Sequence, residues 1–183
     1  MNVPRFIRRM LRAPYDGLRH YGVVEEHVLY RCGQPTPDEL RALIDRHQLN
    51  TVIALRGVRD PDDPDEWERA ERAVCRERGV EFIPLPCNHK NPPTAEQLGQ
   101  FLKVMRDPKR HPVLIHCRMG QQRTGIFCAL YRVHVQGVDP QEALREMDAL
   151  GFNIRRRRHR RLLQAYAELA RPHSAAARPA DRA

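Results

Sequence analysis

Residues 116–125 combine one nucleophile and one anion-binding group at a fixed spacing, H-C-x5-R-T-G. A thiolate is a strong nucleophile, and the pKa of a Cys falls where backbone N–H groups and the start of a helix surround it. The planar guanidinium of Arg123 can hold two equatorial oxygens of a phosphoryl group, which the ammonium of a Lys cannot do. The pattern therefore predicts phosphoryl transfer through a covalent intermediate on Cys117, with Arg123 as the phosphate clamp.

The other residues of this stretch each have a reason to be there. Thr124 can hydrogen-bond the thiolate and help it leave when the covalent intermediate breaks down. His116 is expected to order the loop through backbone hydrogen bonds, and glycine permits a close approach of the backbone. Singly, a Cys is more often a small buried hydrophobe, so the prediction depends on the combination. The predicted phosphate-binding residues are Arg118, Met119, Gly120, Gln121, Gln122 and Arg123.

These side chains must be positioned by the elements on either side of them. The buried-strand pattern 112–116 runs directly into Cys117, and the apolar run 126–131 is expected to continue as a helix to about Gln136. A loop between a buried strand and a helix points its N–H groups inward and meets the positive end of the helix dipole. The junction is thus a predicted oxyanion site.

The rest of the chain predicts an α/β fold. Continuous apolar runs, typical of buried strands, occur at 27–31, 51–55, 81–85 and 112–116. Between them lie helix starts with capping residues, at Thr36, Asp63, Thr94 and Asp139. Strands alternating with helices predict a mostly parallel sheet with helices over both faces, whose ligands lie beyond the carboxyl ends of the strands.

Composition limits the functional classes. The chain has 183 residues, a net charge of +9 and five cysteines, without a C-x-x-C pair. One domain at 21–170 is predicted, between a basic segment 1–20 and a disordered tail 171–183. Reduced thiols in the cytoplasm are expected, with neither a metal nor a cofactor. The basic start leaves peripheral contact with an acidic membrane open.

The sequence alone does not assign a role to residues 155–161, which read Arg-Arg-Arg-Arg-His-Arg-Arg. The alternatives are RNA, an acidic lipid, an acidic partner or a solvated helix face. No aromatic residues are interleaved for base stacking, so nucleic-acid binding is not expected as the main role.

The signature resembles that of the protein tyrosine and dual-specificity phosphatase superfamily. The segments 29–35, Leu-Tyr-Arg-Cys-Gly-Gln-Pro, and 51–56, Thr-Val-Ile-Ala-Leu-Arg, are similar to those of its small atypical dual-specificity members. The resemblance covers roughly residues 25–151. It implies a central sheet of four or five strands flanked by helices, a phosphocysteine intermediate on Cys117, Arg123 as phosphate-binding arginine, and no metal.

One departure concerns the general acid. The family usually carries an Asp on a loop upstream of the signature, which should lie here at 86–93, and this loop contains no Asp or Glu. His89 is the nearest titratable candidate, and Glu96 lies just beyond it. Asp60, Asp62, Asp63 and Asp65 follow a different strand, where they are better read as acids that complement a helix N-terminus.

Several readings stay open. The substrate could be a phosphorylated protein (phosphotyrosine or phosphoserine), a phosphorylated small molecule, a phosphoinositide or an inositol (pyro)phosphate. Sulfurtransferases and some arsenate reductases also place a Cys in an anion-binding loop, although the Arg-Thr-Gly ending favours a phosphatase. A domain without a working acid could also bind phosphate groups and not turn them over.

Overall fold

The structure is a computed structural model that describes residues 20–57 and 66–171. The predicted tail after Arg171, nearly all of the basic segment 1–20 and the acidic run Asp60–Asp65, with the predicted helix start at Asp63, lie outside the described residues. The strands are β1 (Gly22–Glu25), β2 (Leu29–Cys32), β3 (Thr51–Ala54), β4 (Glu81–Pro84) and β5 (Val113–His116). The helices are α1 (Pro37–His47), α2 (Glu66–Glu77), α3 (Ala95–Met105), α4 (Gln122–His134), α5 (Pro140–Met147) and α6 (Arg160–Leu169).

The five described strands form one sheet in the order β1-β2-β5-β3-β4. Strands β2, β5, β3 and β4 are parallel, and β1 pairs antiparallel with β2 at the edge. Strand β5 lies at the centre, where Leu114 is opposite both Tyr30 and Val52. The predicted α/β fold with a mostly parallel, four- or five-stranded sheet is confirmed. Because β5 is flanked by β2 and β3, the residue that follows it lies at the middle of the carboxyl edge.

Helices cover both faces of the sheet. On one face α3, α4, α5 and α6 form the larger core, in which Phe101 and Phe127 meet edge to face with ring centroids 5.2 Å apart. On the other face α1 and α2 pack through Leu40, Leu43 and Val74. All residues of β2, β3 and β5 are buried, which explains why their sequences are continuous rather than alternating.

The helix starts follow the predicted capping chemistry. Thr36 and Thr94 each form a capping box with the residue three positions on, and the Asp139 side chain accepts from the backbone N–H groups of Gln141 and Glu142. A side-chain cap satisfies N–H groups that have no partner within the helix, so these residues fix where α1, α3 and α5 begin.

Two elements were not delimited from the sequence. The edge strand β1 has only four residues, all half-buried. Helix α6 begins within the arginine-rich run, at Arg160, and buries Leu162, Ala165, Tyr166 and Leu169. In the described residues, no helix has the length and apolar composition needed to cross a bilayer.

Candidate active site

The H-C-x5-R-T-G stretch forms the junction between the central strand and a helix, as predicted. Strand β5 ends at His116, and α4 begins at Gln122. Gln121 precedes α4 without a side-chain capping bond, and the first turn of α4 contains no acidic residue. The start of this helix therefore offers its N–H groups and the positive end of its dipole to an anion.

Cys117 lies at the bottom of the loop and is only 1% exposed. Burial disfavours the thiolate, but the charge of Arg123, the hydroxyl and N–H of Thr124 and the N–H of Met119 outweigh it. The net result is a pKa of Cys117 below its ordinary value. A buried thiol with a lowered pKa is the property expected of a nucleophile.

Arg123 is fixed by the ends of two neighbouring strands. Its Nη1 donates to the carbonyl oxygen of Leu55, just after β3, at 3.4 Å, and to that of Cys87, after β4, at 3.3 Å. The guanidinium is therefore held at the carboxyl edge of the sheet. Thr124, the next residue, is fully buried.

The loop is packed tightly against the end of β2. Gly120 has φ +70°, and a Cβ at this position would lie 2.6 Å from both the Cys32 carbonyl carbon and the Gly33 nitrogen. The guanidinium Nη2 of Arg31, a buried residue, donates to the carbonyl oxygen of Gly120. The predicted role of Gly120, a close approach of the backbone, agrees with this geometry.

Behind the loop lies a buried polar network. The Glu71 Oε1 atom is 3.2 Å from His116 Nε2 and accepts a hydrogen bond from Gln34 Nε2 at 2.6 Å. Gln34 also accepts from Arg56 Nη1 at 2.5 Å and donates its backbone N–H to the carbonyl oxygen of Arg118 at 3.2 Å. The network thus connects α2 to the residues on both sides of Cys117.

Glu71 and His116 both favour their neutral forms. Burial raises the pKa of Glu71 to about 8, against the hydrogen bond from Gln34 and the charge of Arg56. Burial, with the charges of Arg56 and Arg123, lowers the pKa of His116 to about 3. The uncharged pair avoids placing a second anion behind a Cys117 thiolate.

His20 contacts the opposite side of the loop. Its Nδ1 is 2.7 Å from the carbonyl oxygen of Met119, and its Nε2 is 2.8 Å from Gln121 Nε2. His20 belongs to the segment predicted as basic and terminal, and it nevertheless contacts two of the predicted phosphate-binding residues.

The loop predicted to carry the general acid leads away from Cys87. Asn88 orders it, since its side chain accepts from the N–H groups of Lys90 and Asn91. His89, the candidate acid, lies exposed on this turn, and Glu96 is exposed in the first turn of α3. The alternative carboxylates, Asp60 to Asp65, lie outside the described residues.

The other cysteines differ chemically from Cys117. All five are buried free thiols. Burial raises the pKa of Cys75 and of Cys87 to about 12 and also raises that of Cys32 and Cys128. In the described part of the chain, His, Cys, Asp and Glu side chains form no group of three or more that could hold a metal ion.

Sequence reasoning missed five residues that support the loop. Only one carried a signal of its own: Glu71 lies four residues after Trp67 and three before Val74, so a carboxyl was visible on an apolar helix face. Arg31, Gln34 and Arg56 belong to the segments 29–35 and 51–56, which resemble the phosphatase family, but the resemblance predicted no role for them. The missed residues are His20, Arg31, Gln34, Arg56 and Glu71.

Comparison with known families gives one match that covers most of the chain. The model of the family described as DSP-PTPase phosphatase fused to NAD+ kinase matches residues 18–164. Among curated proteins, dual specificity protein phosphatase TpbA of Pseudomonas aeruginosa (strain UCBPP-PA14) is 36% identical over 125 residues, which are 68% of this chain and 52% of TpbA. Inositol diphosphatase DSP3 of Arabidopsis thaliana is 28% identical over 116 residues, which are 62% of this chain and 53% of that protein. The chain thus spans about half the length of these relatives.

Solved structures agree with the fold. The crystal structure of P. aeruginosa TpbA has a TM-score of 0.62 and 30% identity, covering 83% of this chain and 89% of that one. The core catalytic domain of the PP-IP phosphatase SIW14 from S. cerevisiae has a TM-score of 0.62 at 20% identity, covering 86% and 85%. At 20% identity, the similarity to SIW14 is evidence for the fold only.

Proposed function

We propose that this chain, which belongs to the family of DSP-PTPase phosphatases described as fused to NAD+ kinase, is a cysteine-dependent phosphatase that hydrolyses phosphate esters through a phosphocysteine intermediate. The observation that carries the proposal is the position of the buried Cys117, between the central strand β5 and the start of α4, with Arg123 in the first turn of that helix. The lowered pKa of the Cys117 thiol agrees with it. The five buried free thiols of the chain support a location in a reducing compartment such as the cytoplasm.

The proposed reaction has two steps. The Cys117 thiolate attacks phosphorus while the bond to the leaving oxygen breaks, and the loop N–H groups and Arg123 hold the three equatorial oxygens. Water then attacks the phosphocysteine, and Thr124 stabilises the departing thiolate. Arg118, Met119, Gly120, Gln121 and Gln122 contribute the loop backbone, and His116 orders it from behind.

Substrates with good leaving groups fit this site best. The leaving oxygen gathers negative charge as its bond breaks, and a general acid matters most when that oxygen is strongly basic. The loop after β4 presents His89 and no carboxylate, so His89 or water supplies the proton. Aryl phosphates, including phosphotyrosine, are therefore the preferred esters. A TpbA variant has been crystallised in complex with pTyr.

A second candidate is a phosphoanhydride substrate, such as an inositol pyrophosphate. The absence of a carboxylate from loop 86–93 favours it, because a departing phosphate needs little protonation. One relative is named inositol diphosphatase DSP3, and the net charge of +9 attracts polyanions.

The test is kcat/KM against leaving-group pKa for a series of aryl phosphates, alkyl phosphates and phosphoanhydrides. Alkyl phosphates should react at least ~100-fold more slowly than activated aryl phosphates, the size of effect that a general acid supplies. Cys117→Ser should abolish turnover but still bind vanadate, and Arg123→Lys should be nearly inactive because the bidentate clamp is lost. Substantial turnover by Cys117→Ser would refute the covalent mechanism, and a wild type that binds phosphate without turnover would indicate a binding module.

A further inference from the structure

Six arginines lie within the seven residues 155–161, and the proposed mechanism uses none of them. All six are exposed. In residues 20–57 and 66–171, no carboxylate forms an ion pair with any of their guanidinium groups. We call this set the arginine surface: Arg155, Arg156, Arg157, Arg158, Arg160 and Arg161.

Arginines elsewhere on the molecule are commonly neutralised by carboxylates. Arg41 pairs with Asp38 and with Glu77 at 3.0 Å, Arg78 with Asp45 at 2.8 Å, and Arg132 with Glu146 at 2.8 Å. A cluster of arginines without carboxylate partners is therefore not typical of the described surface of this protein. Like charges held this close repel one another, so the folded chain gains when an anion binds between them.

The start of helix α6, which lies within the arginine surface, adds to its positive charge. Helices α1, α2, α3 and α5 each carry an acidic residue in the first turn, which complements the positive end of the helix. Helix α6 has none and instead begins with Arg160 and Arg161. Among the described α-helices it shares this lack only with α4, the helix of the Cys117 loop.

The residues that flank or interrupt the arginine surface, Gly151, Phe152 and His159, connect it to the Cys117 loop and the start of α4. A methyl group on Gly125, in the first turn of α4, would lie 3.9 Å from Phe152 Cδ2. The Phe152 ring in turn packs on His159, in the middle of the arginine run, with centroids 5.1 Å apart. Gly151 also abuts the loop, since a Cβ there would lie 2.7 Å from Gln121 Nε2.

The direction of α6 gives the same placement. The His134 side chain, at the end of α4, contacts the carbonyl oxygen of Leu169, at the end of α6, at 2.7 Å. Phe152 bridges the starts of α4 and α6 and this contact joins their ends, so the two helices run in the same general direction. Helix α6 therefore begins at the end of the molecule where the Cys117 loop lies. The arginine surface and the candidate active site thus share the carboxyl edge of the sheet.

We propose that the arginine surface binds the non-reacting phosphate groups of a substrate that carries several phosphates, while the Cys117 loop holds the reacting one. This inference rests on the proposed function and names its substrate class. A phosphate monoester carries about −1.5 to −2 charges at neutral pH, so three to four such groups offset six arginines. Guanidinium forks also match phosphate oxygens in pairs.

The shared chemistry is a compact cluster of phosphate monoesters, either on a free small molecule or on a lipid headgroup. RNA fits less well, because its phosphates are singly charged diesters and the arginine run lacks aromatic residues for base stacking. An acidic peptide would need six carboxylates to supply the same charge.

The test compares two triple variants of the full chain. The first, Arg155→Gln/Arg156→Gln/Arg157→Gln, removes half of the arginine surface. The matched control, Lys103→Gln/Arg106→Gln/Lys109→Gln, removes three exposed charges around the end of α3, before β5 begins at the opposite edge of the sheet. Inhibition of 4-nitrophenyl phosphate hydrolysis is measured with inositol hexakisphosphate and, separately, with inorganic phosphate.

Inhibition by inositol hexakisphosphate should be about tenfold weaker in the first variant, which is the combined effect expected from the loss of three exposed ion pairs. Inhibition by inorganic phosphate should change less than about twofold, because one phosphate occupies only the Cys117 loop. The control variant should match the wild type for both anions. The inhibition by hexakisphosphate should also depend less on salt in the first variant, since fewer counterions are released.

Equal inhibition of all three proteins by hexakisphosphate would overturn the inference, as would tighter binding of a single-stranded RNA of equal charge. Vesicles containing a phosphoinositide bisphosphate, compared with phosphatidylserine vesicles, distinguish a lipid headgroup from a free substrate. If the wild type does not hydrolyse 4-nitrophenyl phosphate, the proposed function fails. Calorimetric titration of inositol hexakisphosphate into the same three proteins then still shows whether the arginine surface binds this anion.

Discussion

At the residue scale, the reactivity of Cys117 is a balance of opposing effects. Burial raises the pKa of a thiol: the pKa of Cys87 is about 12, although the charge of Arg123 acts to lower it. At Cys117 the charge of Arg123 and the hydrogen bonds of Thr124 and Met119 reverse that effect. Chemical selectivity among the five buried thiols therefore comes from the loop rather than from exposure.

Alkylation measures this selectivity directly. At pH 6.5 iodoacetamide should modify Cys117 first, because the pKa values of Cys32, Cys75, Cys87 and Cys128 are all raised. The rate should rise with pH only up to the lowered pKa of Cys117 and then level off. Peptide mass spectrometry identifies the modified residue, and vanadate should protect it. Equal labelling of a second thiol in the native protein would contradict the assignment.

Glu71 gives a prediction about pH. Its folded pKa of about 8 lies above the ordinary 4.5, so the stability gained from its protonation is fully present below pH 4.5 and is lost as the pH rises to about 8. Glu71→Gln does not titrate. Between these limits, the free energy of unfolding of the variant relative to the wild type should therefore rise by up to ~1.4 kcal/mol per pH unit.

Denaturant unfolding at pH 5 and pH 8.5 checks this expectation, with the exposed Glu96→Gln on α3 as control. Above pH 8 the wild type should also lose activity that Glu71→Gln retains, because an ionised Glu71 opposes the Cys117 thiolate. Parallel pH dependences of stability in wild type and Glu71→Gln would show that Glu71 is ionised throughout.

At the element scale, the loop and strand β2 are fitted to each other at Gly120. Gly120→Ala combines two costs: a positive φ and a Cβ 2.6 Å from backbone atoms of Cys32 and Gly33. Gly79→Ala has the same positive φ, +67°, and open space around it. The control should therefore cost about 1 kcal/mol, and Gly120→Ala more than that.

Gly120→Ala should also lose most of its kcat/KM, because only backbone movement in the loop relieves the clash. Thermal unfolding and steady-state kinetics of both variants measure the two effects. Near-normal activity of Gly120→Ala would show that the loop accommodates a Cβ without moving its N–H groups.

The sequence predicted those elements whose signals are local. Strands β2 to β5 were visible because buried strands are continuously apolar, and the Cys117 loop because its residues are consecutive. Strand β1 is too short and too evenly half-buried to show a period. The support from Glu71 to His116 spans 45 positions and depends on how α2 packs, which no local pattern records.

At the scale of the whole molecule, charge is distributed unevenly. Many arginines lie in ion pairs along the helices, whereas the carboxyl edge of the sheet combines the Cys117 loop with the arginine surface. Electrostatic attraction therefore favours anions at the end of the molecule that carries the Cys117 loop. Because exposed charges are screened within about 8–10 Å at physiological salt, this attraction acts near the surface.

The sheet order also bears on how the chain assembles as it leaves the ribosome. Strands β1 and β2 pair with each other, and so do β3 and β4, but both pairs meet only through β5, the last of the described strands to be synthesised. Until His116 has emerged, the nascent chain can form two separate strand pairs with unpaired inner edges. Such edges expose backbone groups to other chains. The sheet can therefore be completed only after the chain has been translated past His116, the residue that precedes Cys117.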